Sequence, residues 1–168
     1  MGYVIKWCVT KNKGPVYIRL GKAGEPNLTN PKQKFDISKL RFHSNKSKTA
    51  IITYGTITKY SFNLKKELKK EGLSIDIITS HSLKPLDRPG IIRMLSNYDN
   101  IFVVEEHVEF GGLGAQIKKI AFENNSKSRI YTYHLKDEFL HFYGSYEELL
   151  VKHGIDFKKI KRKIISLI

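Results

Sequence analysis

The chain has 168 residues, 40% of them hydrophobic, which suits one ordinary domain, alone or with a fragment of another. Its single cysteine, Cys8, excludes an internal disulfide and a cysteine-rich zinc site and fits a reducing compartment. No apolar run nears the ~20 residues needed to cross a bilayer, and the formal charge of +14 raises the question of nucleic acid.

The N-terminus, MGYVIKWCVTKNKG, has no long apolar core or small-residue cleavage site, so no signal peptide is expected. Its MG start lacks the Ser/Thr of a myristoylation signal. These features together predict a cytoplasmic protein. Residues 3–10 read as the last turns of a helix, ended at Gly14, with Trp7 and Cys8 in ordinary packing. PVYIRL (15–20) is rich in β-formers and predicts a strand. From Gly21 to Lys48 the chain collects Gly, Pro and Asn and reads as a linker, with room for a short strand or turn near Phe35–Leu40.

After Thr49 the pattern becomes regular. AIITYG (50–55) predicts a buried strand, and Ile57, Tyr60, Leu64 and Leu68 share one face of the helix that follows, stopped by Gly72. LSIDIIT (73–79) is the next strand. Asp87 stands as N-cap of a short helix with Pro89 in its first turn. NIFVVEE (100–106) is a third strand. A glycine turn then starts a helix that turns Leu113, Ile117, Ile120 and Ala121 inward. SRIYTYHL (128–135) is a fourth strand, and SYEE (145–148) has capping-box spacing for a helix ending at Gly154. Phe157, Ile160, Ile164 and Leu167 recur at helical spacing in the basic C-terminal segment, which predicts a docked amphipathic helix with its cations in water. A helix lying on a membrane surface shares that pattern, but docking explains it with no ligand.

Alternating strands and helices, with strands apolar throughout, predict a three-layer α/β/α sandwich around a mostly parallel sheet. In such sheets ligands bind at the carboxyl ends of strands. That rule draws attention to GGLG (111–114), a strand-to-helix junction of the kind that cradles phosphates. The run lacks dinucleotide-fingerprint spacing and the P-loop lysine. Close helix packing and an anion site both remain open for it, packing being favoured. Glu105, Glu106 and His107 meet where the third strand ends, yet neighbours on an extended chain point to opposite faces. The three cannot converge on one metal or substrate, and one acid is expected to cap a neighbouring helix or pair with a lysine. His43, His81, His134, His141 and His153 show no metal-ligand spacing, and no G-x-S-x-G elbow occurs. No catalytic residue follows from the chain's own chemistry. The lysines are scattered and no aromatic–basic platform accompanies them, so specific nucleic-acid binding is not expected.

GPVYIRLGK, AIITYGTIT, KPLD, VVEEHVEFGGLG and YEELLVKHGID resemble, in order, the C-terminal part of transketolases. Similar segments close deoxyxylulose-phosphate synthase and the beta subunit of the first pyruvate dehydrogenase component. The resemblance implies a transketolase C-terminal domain-like fold over 49–168, a linker at 23–48, and the last helix and strand of the pyrimidine-binding domain at 1–22. It further implies a parent enzyme that moves a two-carbon ketol unit between phosphorylated sugars with thiamine diphosphate and Mg2+. The family's diphosphate motif and its activating glutamate have no counterpart here, so no cofactor is expected on this chain and the chain alone is expected to be inactive. Its partners would be the remaining domains or a separate N-terminal subunit, in a homo-oligomer such as a dimer. One family site survives: the basic residue after the pyrimidine-domain strand, which contacts the substrate phosphate, falls on Lys22, with Arg19 three residues earlier. Which of them faces substrate is open, as is the alternative that both only hydrate the strand end. In this family GGLG packs a helix on the sheet. A second implied role is a partner-docking domain, as in the dehydrogenase beta subunits, where the positive charge would suit an acidic partner.

Overall fold

The computed structural model describes residues 2–21, 26–28, 36–44 and 46–168. The elements run α1 (Gly2–Thr10), β1 (Arg41–Phe42), β2 (Thr49–Thr53), α2 (Thr58–Lys70), β3 (Asp76–Thr79), α3 (Arg88–Asn97), β4 (Asn100–Val108), α4 (Leu113–Glu123), β5 (Arg129–Leu135), α5 (Tyr146–Lys152) and α6 (Phe157–Ile165). Five strands form one sheet in the order β1-β3-β2-β4-β5. All pairs are parallel except β1 with β3, where Arg41 faces Thr79 and Phe42 faces Ile78. The three-layer, mostly parallel α/β sandwich expected from the sequence is the fold observed.

Every residue of β2 and β3 is buried, which is why their sequences do not alternate. Their side chains split between two cores. Ala50, Ile52, Ile78 and Val103 meet Ile91 and Met94 of α3 and Leu113 and Ile117 of α4. On the other face Ile51, Ile77, Phe102 and Val104 meet Leu64 and Leu68 of α2 and Ile160 and Ile164 of α6. The C-terminal basic segment is thus a docked helix, as its spacing predicted. On its outer side Lys161 bridges Glu67 of α2 and Glu71 at its C-cap.

Local signals explain the helix ends. Asp87 accepts from the Gly90 amide at 3.1 Å, with Pro89 in the first turn of α3. The same buried carboxylate accepts from the Leu40 amide at 2.9 Å and so ties the entry of β1 to α3. Ser145 and Glu148 complete the reciprocal capping box of α5. At the amino end of the sheet the buried Asp76 accepts from the Ser47 amide (3.1 Å), Tyr98 Oη (3.1 Å) and Ser44 Oγ, with Lys65 Nζ 3.9 Å away.

One feature differs from the sequence reading. Residues 15–20 form no strand; Tyr17 and Leu20 are exposed there and Val16 and Ile18 partly so. Their β-forming side chains have no ladder to join, and strand propensity is expressed only against a neighbouring strand. Within the segment read as a linker with room for a short strand or turn near Phe35–Leu40, Leu40 is buried in a core and the short strand, Arg41–Phe42, lies just beyond and hydrogen-bonds to β3.

Candidate functional site

The sheet order places β2 between β3 and β4, so the crossover from β2 runs to one side and the next, from β3, returns past β2 to the other. Doubly wound sheets open a ligand crevice at such a switch point, between the carboxyl ends of the two diverging strands. Here Tyr54 directly follows β2 and Glu105 sits near the end of β4. Tyr54 Oη donates to Glu105 Oε2 at 3.2 Å. Burial is the larger cause, and Glu105 the next, that pushes the Tyr54 phenol above its ordinary range, so it stays a neutral donor.

Glu105 is 1% exposed. Its two carboxylate oxygens accept from the backbone amides of Leu113 and Gly114, each at 2.7 Å. These are first-turn amides of α4, which no residue of the helix can satisfy. The N-cap position, Gly112, supplies no side-chain cap of its own. The glycines make room for this arrangement. A Cβ on Gly112 would lie 2.5 Å from Glu105 Oε2, and one on Gly114 would lie 3.0 Å from Oε1 and 2.9 Å from Thr132 Cγ2. Gly111, at φ +78°, turns the chain into the left-handed region.

The turn therefore does hold an anion, but the anion is the chain's own carboxylate. It neutralises the positive end of the helix dipole from within. A thiamine diphosphate does not fit here, because both amides are taken and Glu105 would repel a phosphate.

The neighbours of Glu105 diverge, as strand alternation required. The Glu106 carbonyl accepts from Arg19 Nη1 at 3.2 Å. The ring Nδ1 of His107 lies 2.9 Å from the Val108 carbonyl. Arg19 thus reaches the carboxyl end of β4 from the N-terminal segment, beside the Tyr54–Glu105 pair. Lys22, the other residue expected to contact phosphate, lies outside the described residues.

Beside this crevice a cleft of about 650 Å³ opens between α1 and the ends of β2 and β3. Tyr3 and Lys6 of α1 line one wall, and His43, Thr79 and His81 the other. His43 Nε2 is 3.0 Å from Thr79 Oγ1, and its ring meets Phe62 edge-on with centroids 4.9 Å apart. Burial first, and the nearby Arg41 second, lower both His43 and His81 to about 4. Both rings are therefore neutral at physiological pH and offer hydrogen bonds rather than charge. Their spacing in the sequence carried no hint of this. The pairing of β1 with β3 brings them together, and that contact is long-range.

The family described as "Transketolase, C-terminal domain" matches residues 38–160. The 1-deoxy-D-xylulose-5-phosphate synthase of Clostridium tetani is 26% identical over 166 residues, covering 98% of this chain and 26% of that protein. One of the subunits of the apulose-4-phosphate transketolase of Phocaeicola vulgatus is 27% identical over 155 residues, covering 92% of this chain and 49% of that protein. A solved structure described as a split gene transketolase, inactive beta4 tetramer, superposes with a TM-score of 0.82 at 25% identity, covering 97% of this chain and 52% of that one. The transketolase of Campylobacter jejuni shares the fold, with a TM-score of 0.55 at 15% identity over 83% of this chain and 20% of that one. The chain spans about a quarter of the length of the synthases it matches and about half of the apulose-4-phosphate transketolase polypeptide. With the family match running over residues 38–160, the chain belongs to the transketolase C-terminal domain family.

Proposed function

We propose that this chain is the carboxyl-terminal part of a transketolase-like enzyme that transfers a two-carbon ketol unit between phosphorylated sugars in the cytoplasm. The observation that carries this reading is the extent of the likeness. It runs beyond the matched family domain to 98% of the chain in the synthase relative, which supports reading the N-terminal segment as part of the same protein architecture. On this reading residues 1–22 are the tail of the pyrimidine-binding domain and 49–168 are the C-terminal domain. Between them, 23–48 is a connection whose last part lies on the sheet.

Tyr3, Ile5, Val9, Tyr17 and Leu20 are exposed apolar side chains, and the remainder of the pyrimidine-binding domain would cover them. Thiamine diphosphate and Mg2+ bind in the complete enzyme and supply the carbanion chemistry. This chain contributes an anchor: the end of β4 holds the Arg19 side chain, and through it the segment whose next basic residue, Lys22, meets the substrate phosphate. The remaining domains come from the same or a separate chain, in a homo-oligomer.

Calorimetry on the purified chain with thiamine diphosphate and Mg2+ tests the division of labour. No stoichiometric binding is expected. Ketol transfer from a ketose phosphate to an aldose phosphate is expected once a chain bearing the diphosphate-binding domain and the remainder of the pyrimidine-binding domain is added. Magnesium-dependent, stoichiometric cofactor binding to this chain alone would overturn the proposal.

A further inference from the structure

We propose that the outer edge of β5 is a pairing surface for a second copy of this chain, strand against strand and antiparallel, with Thr132 opposite Thr132 of the second copy. This inference does not depend on the reaction of the complete protein.

The two edges of the sheet are built differently. β1 is two residues long, a length that offers little to another strand. β5 is seven residues long, RIYTYHL, and has neither proline nor lysine within it. From Ile130 to Leu135 every residue is half-buried, so both faces of this strand are incompletely covered, in a sheet type whose strands are normally covered on both.

The direction of the edge groups follows from one bond. The Arg129 amide donates to the Asp99 carbonyl at 2.8 Å, toward β4. Amide and carbonyl of a strand residue share a side, and the side alternates, so Ile130, Thr132 and His134 direct theirs away from the sheet. Their outward groups have no backbone partner among the described residues.

A two-fold axis through Thr132 makes this edge complementary to itself. Thr132 then pairs with its own copy, and Ile130 with His134 of the second copy. Each of these pairs exchanges two backbone hydrogen bonds. Tyr131 comes opposite Tyr133 of the second copy. Both tyrosines already stack on Phe102, with centroids 4.8 and 6.2 Å away, so pairing would extend an existing aromatic layer across the axis. Arg129 comes opposite Leu135, and continuing the register sets Lys127 opposite Asp137. No like charges face each other, although each copy carries a formal +14.

Sedimentation over a concentration series tests this with the full chain. The wild type is expected to pass from monomer to dimer. Thr132→Pro removes an outward amide without breaking the bonds to β4, and should weaken association about tenfold or more. A wild type that stays monomeric throughout, or a dimer that a folded Thr132→Pro variant leaves unchanged, would overturn the proposal. Should that variant unfold, crosslinking decides. In a Cys8→Ser background, Thr132→Cys should oxidise to a covalent dimer, because directly opposed residues stand within disulfide reach. Crosslinking no greater than that of an exposed Ser166→Cys control would also overturn it.

Discussion

The glycines of the turn before α4 permit a test that separates backbone conformation from contact. Gly111 lies at φ +78° with open space around the position of a Cβ, whereas Gly112 lies at φ −71°, ψ −178°, which any residue adopts. Judged by backbone alone, Gly111→Ala should be the harmful change, costing about 1–2 kcal/mol for a left-handed alanine. Gly112→Ala should be harmless, or stabilising by about 0.5 kcal/mol through the unfolded state. The structure reverses the order. A Cβ on Gly112 would stand 2.5 Å from Glu105 Oε2 and 2.8 Å from its Cδ, so the carboxylate must leave the amides of Leu113 and Gly114. Charge-assisted bonds to buried donors are worth about 1.5–3 kcal/mol each, and partial realignment should recover some of that. A net cost of about 3 kcal/mol is expected, against about 1.5 kcal/mol for Gly111→Ala. Urea unfolding at neutral pH measures both. Glu105→Ala completes the cycle: it should be destabilising alone, but with the carboxylate gone most of the cost of Gly112→Ala should vanish. Gly111→Ala costing more than Gly112→Ala, or a Gly112→Ala penalty independent of residue 105, would refute the assignment of Glu105 as the cap of α4.

Other consequences are simpler to check. Tyr98→Phe removes the hydroxyl that lies 3.1 Å from Asp76 Oδ2 and should cost about 2 kcal/mol in urea, since it strips a donor from a buried carboxylate; an unchanged midpoint would show that Ser44, Ser47 and Lys65 suffice. His43 and His81 are held at about 4 in the fold against an ordinary 6.5. The unfolded chain therefore takes up protons first as pH falls: their contribution is complete above about 6.5 and is lost progressively down to about 4. Both residues are only partly buried, so about 1 kcal/mol each is expected, not the full value of the shift. His43→Gln should flatten this part of the stability profile, and an identical pH slope in wild type and variant would contradict it.

How far the fold could be read depended on the range of the interactions that make each element. β2 and β4 were legible because strands buried on both faces need continuous apolar runs, and α3 and α5 because Asp87 and Ser145–Glu148 cap within three residues. The docking of α6 followed from its apolar stripe. β1 is defined by partners more than thirty residues away, so nothing local marks it. PVYIRL shows the opposite failure: its propensity is real, but no strand edge receives it. At the site, alternation required that Glu105 and Glu106 point apart, and capping was the expected use for one of them. Which acid turned inward depended on the phase of β4 relative to α4. The His43–His81 cleft left no local trace, and Arg19 was singled out only through the family likeness.

The position of Glu105 also bears on how a switch-point crevice is used. A strand-to-helix turn that binds phosphate and one that only packs share the same requirement, glycines where backbone amides must be approached closely. What differs is the source of the anion. A ligand phosphate has to be captured from solution at an entropic cost, whereas a carboxylate on the preceding strand is held by the sheet already. Once Glu105 takes the amides of Leu113 and Gly114, those two donors are no longer open to a ligand. A further polar group near the end of β4, the Glu106 carbonyl, is an acceptor and suits a cation, and Arg19 takes it. One strand end therefore turns a place built for binding anions into a place for holding an arginine. Its sequence mark is an acid at a strand end whose partners lie eight and nine residues later, at the first turn of a Gly-x-Gly helix. Where that acid is present, a GGLG-type turn should be read as a self-capped joint. Where it is replaced by an apolar residue, the same glycines leave their amides open to phosphate.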